Sequence, residues 1–359
     1  MRLLNEKLLS ENVEKAALYD IENGNVYGCS YIVKQCGKTI FKKHYGVTGE
    51  NKKAVDDKTL FRLASMTKPI TAVATLINVD RGLISLEDTV NSHIPQFKDK
   101  RVKILHLLSH TSGIADCNDG IVAKMTEKDK RTVLDTVNFF ADKELAFTPM
   151  STSAYSPFAA WDVLVAIIEK VTGEDFFDFI KREILDPLGM IDTAFVPNKE
   201  QWERFIDVNG KVDGKCVKIN LNENCVFGDF PCTHNLGGAG LFSTLLDYSA
   251  FAETLLNNGL TQSGKRILNE STAKLIKTPV IESEEDMCFW GLGVRIVTDK
   301  NYPFLPLGIY GWSGAYGSHF WVDPENKITA VFMKNSGYDG GSANESAVRF
   351  EQAVNNSLI

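Results

Sequence analysis

Residues 70–79 form the longest apolar run that still carries punctuation: threonines at 71 and 75, Asn78, and no charge between Lys68 and Asp80. Such a run, apolar on nearly every side, predicts a helix buried all round rather than a surface helix with one wet face. Residues 60–64 read as an extended approach to it. Pro69 would break a helix interior but is tolerated in a first turn, so the helix is expected to begin almost at Ser65. Amphipathic or apolar helical patterns recur at 4–18, 102–108, 159–171, 176–184, 244–256, 271–277 and 342–355, and residues 70–190 read as mainly helical. Strand patterns lie at 27–33 and 38–45, joined through Gly37, and again at 291–297, 318–322 and 328–333, the last two joined by the turn Asp323-Pro324-Glu325-Asn326-Lys327.

Sheet-forming segments therefore concentrate at both ends of the chain with a helical block between them. This distribution predicts an α/β protein whose sheet is assembled from the two ends, not a series of strand-helix repeats. Residues 1–64 and 265–359 are assigned to the sheet region and 65–264 to a predominantly helical region. Within the latter, the Gly-, Asn- and Asp-rich stretch 196–235 is expected to form a covering segment, with the active site between the two regions.

Composition narrows the class without selecting a substrate. A chain of 359 residues with 44% hydrophobic positions can bury a full core, and a net charge of −7 with scattered signs argues against nonspecific nucleic-acid binding. The first residues, Met1-Arg2-Leu3-Leu4-Asn5-Glu6-Lys7, include an acid and no long apolar core, so no signal peptide is expected, and no stretch approaches a membrane span. Seven cysteines at 29, 36, 117, 216, 225, 232 and 288, without a tight Cys-x-x-Cys pair, point to reduced thiols and a cytoplasmic protein. Cys225, Cys232 and His234, with Cys216 nearby, invite a zinc reading. Their spacing matches no familiar zinc pattern, so ordinary loop and core roles are expected and no metal or organic cofactor is assigned.

Chemistry begins at Ser65-Met66-Thr67-Lys68. A separation of three puts both side chains on one helix face, where a desolvated lysine has a lowered pKa and can accept the serine proton. The motif occurs twice. At Ser271 to Lys274 it sits in an ordinary amphipathic pattern, with Lys277 following, and reads as a solvated helix start. Tyr155, in Thr152-Ser153-Ala154-Tyr155-Ser156-Pro157 just before a long helix, is either a packing tyrosine or a phenol held against the serine-lysine pair. In the second case the ammonium is expected to stabilise a phenolate. A third region, Tyr310-Gly311-Trp312-Ser313-Gly314-Ala315-Tyr316-Gly317, is either an aromatic turn or a strand edge whose glycines let backbone donors approach a ligand. No phosphate loop and no Gly-x-Ser-x-Gly elbow is present.

In this order the three regions resemble the serine beta-lactamase and penicillin-recognising superfamily, in particular its cephalosporinase-like and carboxylesterase-like branch. Ser65-x-x-Lys68 is similar to its nucleophile motif, Tyr155-Ser156-Pro157 to its tyrosine motif, and Trp312-Ser313-Gly314 to the position commonly read as Lys-Thr-Gly. His106-Leu-Leu-Ser-His110-Thr-Ser-Gly113, residues 167–173, Pro187-Leu-Gly-Met190, Gly237-Gly-Ala-Gly-Leu-Phe-Ser-Thr244 and His319-Phe-Trp-Val-Asp-Pro324 extend the resemblance over most of the chain. It implies an antiparallel sheet flanked by helices, with a helical region inserted. It also implies two-step acyl transfer on small esters or amides. Ser65 is then the nucleophile, Lys68 and Tyr155 move its proton, and the backbone N–H groups of Ser65 and Ala315 receive the oxyanion. Trp312, Ser313, Gly314 and Tyr316 line the substrate.

Two departures bear on the substrate. Pro157 stands where the family commonly has an asparagine amide, and Trp312 stands where a lysine would meet a substrate carboxylate. Compact neutral esters are therefore favoured over beta-lactams or D-amino-acid peptides, which remain the enzymatic alternative; Arg295 or Arg349 is the candidate replacement cation. A catalytically inactive binder of peptides or cell-wall fragments is the non-enzymatic alternative. His110 is expected to be structural, His319 to support the site from behind, and Asp116 and Asp119 to be solvated loop residues.

Overall fold

The computed structural model describes residues 1–50, 52–219, 230–283 and 287–359. The chain opens with a helix, Glu6–Glu22, and the hairpin β1 (Gly28–Gln35) and β2 (Lys38–Gly46). Two-residue strands β3 (Phe61–Arg62) and β6 (Phe242–Ser243) pair with each other, as do the short strands β4 (Asn209–Val212) and β5 (Lys215–Lys218). The C-terminal part supplies β7 (Ile281–Glu282), β8 (Cys288–Trp290), β9 (Arg295–Val297), β10 (Tyr310–Ser313), β11 (His319–Asp323) and β12 (Ile328–Met333). One antiparallel eight-stranded sheet in the order β2-β1-β12-β11-β10-β9-β8-β7 joins the two ends of the chain, as their patterns predict.

Strand β1 lacks a wet face because helices cover both sides of the sheet. Cys29, Tyr31 and Val33 point to a core shared with Leu9, Val13, Phe350 and Val354 of the two terminal helices. Ile32 points the other way, into the larger core shared with Tyr248 and Phe251. On β12 the same alternation sends Ala330 and Phe332 to one core and Val331 and Met333 to the other. Each fully buried large apolar side chain contributes about 1.5–3 kcal/mol, so both faces are strongly specified.

The helix Thr67–Asp80 lies in the larger core with nearly every side chain buried. It packs against the helix Ala159–Thr172, which stops at Gly173 in the left-handed conformation, φ +71°. One predicted element is corrected. Residues 291–297 are not a single strand: Gly293 at φ +75° and a hydrogen bond from Gly291 N–H to Val294 O turn the chain between β8 and β9. Of the stretch 196–235, the helix Lys199–Trp202 and the β4-β5 hairpin are described, and residues 220–229, with Cys225, lie outside the described residues.

Candidate active site

Ser65 sits in a single 3-10 turn, Ala64–Met66, that feeds directly into the helix Thr67–Asp80. Ala64 is held at φ +44°, a conformation L-residues seldom adopt, and the sharp turn leaves the half-buried serine at the junction of strand and helix. Lys68, one turn on, is completely buried, with its Nζ 3.3 Å from Ser65 Oγ. Two carbonyl oxygens hold the amine: Pro157 O at 2.7 Å and Gly238 O at 2.8 Å.

Burial pulls the Lys68 pKa down from 10.5 to about 7, against the opposing charges of Asp116 and Asp162. A neutral amine has two N–H donors and one lone pair. At a pKa of about 7 this form is well populated at neutral pH, and with its two donors directed at Pro157 O and Gly238 O its remaining lone pair is the one on the Ser65 Oγ side. Gly238 is required for this approach, since a Cβ there would lie 2.6 Å from Pro157 O and 3.3 Å from the lysine nitrogen.

Tyr155 completes the cluster, donating from its phenol to Ser65 Oγ at 2.7 Å. Burial raises its pKa, while hydrogen bonding to Ser65 and the neighbouring Trp312 lower it less. It is therefore held as a phenol, and the expected phenolate is corrected: the interior that strips charge from Lys68 also disfavours charge on Tyr155, and the lysine lies over the ring, 4.9 Å from its centroid. The ring packs on His110 at 4.8 Å and Trp312 at 5.6 Å. His110 is buried, takes the Ser156 N–H on Nδ1 at 3.0 Å, and has its pKa pulled well down by burial and by Lys68. It is a neutral wall behind Tyr155, the structural role expected of it.

Asp116 overturns its expected solvated role. It is 2% exposed and accepts from Ser156 Oγ (2.7 Å), Phe158 N (3.1 Å) and Ala159 N (2.7 Å). Phe158 has no side chain able to cap the helix Ala159–Thr172, so Asp116 caps it from 43 residues away and fixes the Tyr155 loop. Burial raises its pKa to about 6 despite these donors. Asp119 is exposed, as expected. No local pattern signals Asp116, or the Pro157 and Gly238 carbonyls, as parts of the site.

The third region is strand β10 and the turn after it. Trp312 is buried against Tyr155 and Trp290. Ser313 is bonded to His319 Nδ1 at 2.8 Å, and His319 Nε2 to Glu351 Oε1 at 3.0 Å, so His319 supports the strand from behind. Gly314 passes close to the Ser65 turn: a Cβ there would lie 2.4 Å from Leu63 O. Ala315 is exposed, and its carbonyl takes the Gly341 N–H. Among the described residues neither the Ser65 nor the Ala315 N–H donates to a backbone acceptor. Tyr316, half-buried, faces Arg62, whose guanidinium also stacks on Phe230 at 4.2 Å. Neither candidate replacement cation reaches this site unpaired. Arg295 is buried and faces Glu351 at 3.8 Å, and Arg349 is bonded to Asp20 and Glu345.

The chain matches the beta-lactamase family profile over residues 8–353. It belongs to the beta-lactamase family. Relatives of this beta-lactamase-related serine hydrolase include Esterase EstB of Burkholderia gladioli, 26% identical over 91% of each chain. A putative D-alanyl-D-alanine carboxypeptidase of Escherichia coli K12 is 29% identical over 77% of this chain and 69% of its own length. Among solved structures, EstCE1, described as a hydrolase with promiscuous acyltransferase activity, shares the fold at TM-score 0.85. It is 24% identical over 97% of this chain and 99% of its own.

Proposed function

We propose that this serine hydrolase cleaves small esters, and more slowly amides, through an acyl-enzyme on Ser65. The carrying observation is a buried Lys68 whose Nζ lies 3.3 Å from Ser65 Oγ and is held by two carbonyl oxygens, with its pKa pulled down to about 7 so that the free amine is well populated at neutral pH. Ser65 Oγ attacks the substrate carbonyl carbon as its proton passes to Lys68 Nζ, and the carbonyl oxygen gathers negative charge between the Ser65 and Ala315 N–H groups. Collapse breaks the bond to the leaving alcohol, which takes the Tyr155 proton; Tyr155 recovers one from the Lys68 ammonium. Water then attacks the acyl-serine by the same route in reverse, releasing the acid and restoring Ser65. One well-placed oxyanion donor is worth about 3 kcal/mol in the transition state. Trp312 beside Tyr155, with Ser313, Gly314 and Tyr316, forms the proposed substrate wall.

The esterase reading is favoured over beta-lactam or D-peptide hydrolysis because Trp312 offers no cation, while Arg295 and Arg349 are committed to carboxylates. EstB and EstCE1 point the same way by name. The free thiols among the described residues suit a reducing, cytoplasmic setting. A panel of short-chain esters, matched amides and a beta-lactam, followed by intact-mass detection of the Ser65 adduct, tests the proposal. Ester turnover with an adduct lost in Ser65→Ala is expected. No adduct and no Ser65-dependent turnover across the panel would leave a ligand-binding role.

A further inference from the structure

His234, drawn into a hypothetical zinc set by its neighbouring cysteines, has a different environment in the fold. Its Nε2 lies 2.9 Å from Asp162 Oδ2 and its Nδ1 lies 3.1 Å from the Lys130 carbonyl oxygen. A carbonyl can only accept, so Nδ1 carries a hydrogen; burial raises the Asp162 pKa, His234 and the Gly237 N–H work against that rise, and with Asp162 ionised its oxygen also accepts, so Nε2 carries a hydrogen too. A ring with both hydrogens is an imidazolium. The pair is almost dry, the side chains being 6% and 0% exposed.

The consequence reaches Lys68 within a few bonds. The other Asp162 oxygen, Oδ1, accepts the Gly237 N–H at 3.1 Å. The Gly237 carbonyl accepts from Thr71 Oγ1 at 2.7 Å, on the same helix as Lys68, and the next carbonyl, Gly238 O, is one of the two that hold the lysine amine. We propose that His234, as an imidazolium paired with Asp162, is a positioning residue for Lys68, fixing the Gly237-Gly238 backbone that directs the lysine lone pair at Ser65. This rests on the acyl-transfer reading of Ser65 and Lys68.

Charge works in the same direction as geometry. Asp162 favours the Lys68 ammonium, and by Coulomb's law a cation paired with that carboxylate offsets part of its influence. Among the described residues the charged groups facing His234 are Asp162 and Glu169 on the helix Ala159–Thr172, with Asp175 bonded to the neighbouring Asn235 and the Lys130 ammonium turned to Glu127. Burial pulls the His234 pKa down, but Asp162, the Lys130 carbonyl and Glu169 outweigh it and leave the pKa raised. A raised group holds its contribution at low pH and loses it as pH climbs through the raised value. The clamp on Gly237 thus weakens on the alkaline side, while Lys68 loses its basicity on the acid side.

The test combines a measurement without turnover and one with it. In the wild-type protein, NMR of the ring nitrogens should show His234 doubly protonated at neutral pH and titrating above the ordinary histidine value of about 6.5, with the Gly237 and Gly238 amides following the same midpoint. In ester hydrolysis, His234→Gln should lower kcat about tenfold with KM within twofold, and should lose the alkaline limb assigned to His234. Asp162→Asn should also move the acid limb of kcat/KM to lower pH, because one charge favouring the Lys68 ammonium is gone; mere loosening of the fold would lower the rate without that shift. Titration at or below the ordinary value with both glycine amides indifferent, or wild-type kcat in both variants, would overturn the inference. If the NMR coupling is as expected but the wild-type protein turns over no ester, the coupling stands and the acyl-transfer reading fails.

Discussion

Two stretches of this chain have the same spelling, Ser-x-x-Lys, and different physics. At Ser65 the lysine is wholly buried, its amine is held by two carbonyl oxygens, and a tyrosine hydroxyl lies 2.7 Å from the serine. At Ser271, in the helix Glu270–Leu275, both residues are exposed and Lys274 pairs with Glu270 at 2.8 Å, four positions away. Spacing places a serine and a lysine on one helix face in both cases. Only burial brings the lysine's pKa down to about 7, and only surrounding acceptors fix its amine beside the serine.

Serine substitution gives the widest separation between the two motifs. Ser65→Ala should lower ester kcat on the order of 10^4-fold or more, while Ser271→Ala should leave kcat and KM at wild-type values; equal effects would erase the distinction. The next contrast is in the lysines and in pH. Lys68→Met should lower kcat roughly 10^3-fold, Lys274→Met not at all. In the wild-type protein kcat/KM should fall about tenfold per pH unit below about 7, because the ammonium that forms there cannot accept the serine proton. A profile flat down to pH 5 would mean that Lys68 is not the base.

Tyr155→Phe removes the proton donor yet keeps the ring contacts with His110 and Trp312, so a loss of roughly 10^2-fold in kcat, with little change in melting temperature, is expected. Gly238→Ala should cost less in rate, about tenfold. Its Cβ would have to displace the Pro157 carbonyl or the lysine amine, and thermal unfolding together with the acid limb of the rate would reveal which has moved. Glu270→Gln, which breaks only the exposed pair at the second motif, should change neither activity nor melting temperature measurably.

Much of the scaffold was legible because it depends on local periodicity. The apolar run after Lys68, the hairpin turning through Gly37 and the final helix each announce themselves within a few residues, and their positions agree with Thr67–Asp80, β1-β2 and Glu345–Asn355. The turn inside 291–297 was obscured by apolar neighbours that suit a strand equally well. Asp116 was misread for a different reason: its carboxylate serves donors of residues 156–159, forty or more positions on, and a single acidic residue in a loop has the same local appearance whether it is wet or buried.

The order of residues was enough to determine the helix and strand material, the spacing of Ser65 and Lys68, and the family to which the three motifs belong. It could not determine a protonation state. Whether Lys68 is an ammonium or an amine, Tyr155 a phenolate or a phenol, and His234 a zinc ligand or one half of an ion pair depends on how completely water is removed and which acceptors arrive from elsewhere in the chain. Those acceptors, the carbonyls of Pro157 and Gly238 at Lys68 and the carboxylate of Asp162 at His234, reach their partners only through the tertiary fold. The reason is that desolvation and hydrogen bonding act over a few ångströms in space, irrespective of the distance along the chain.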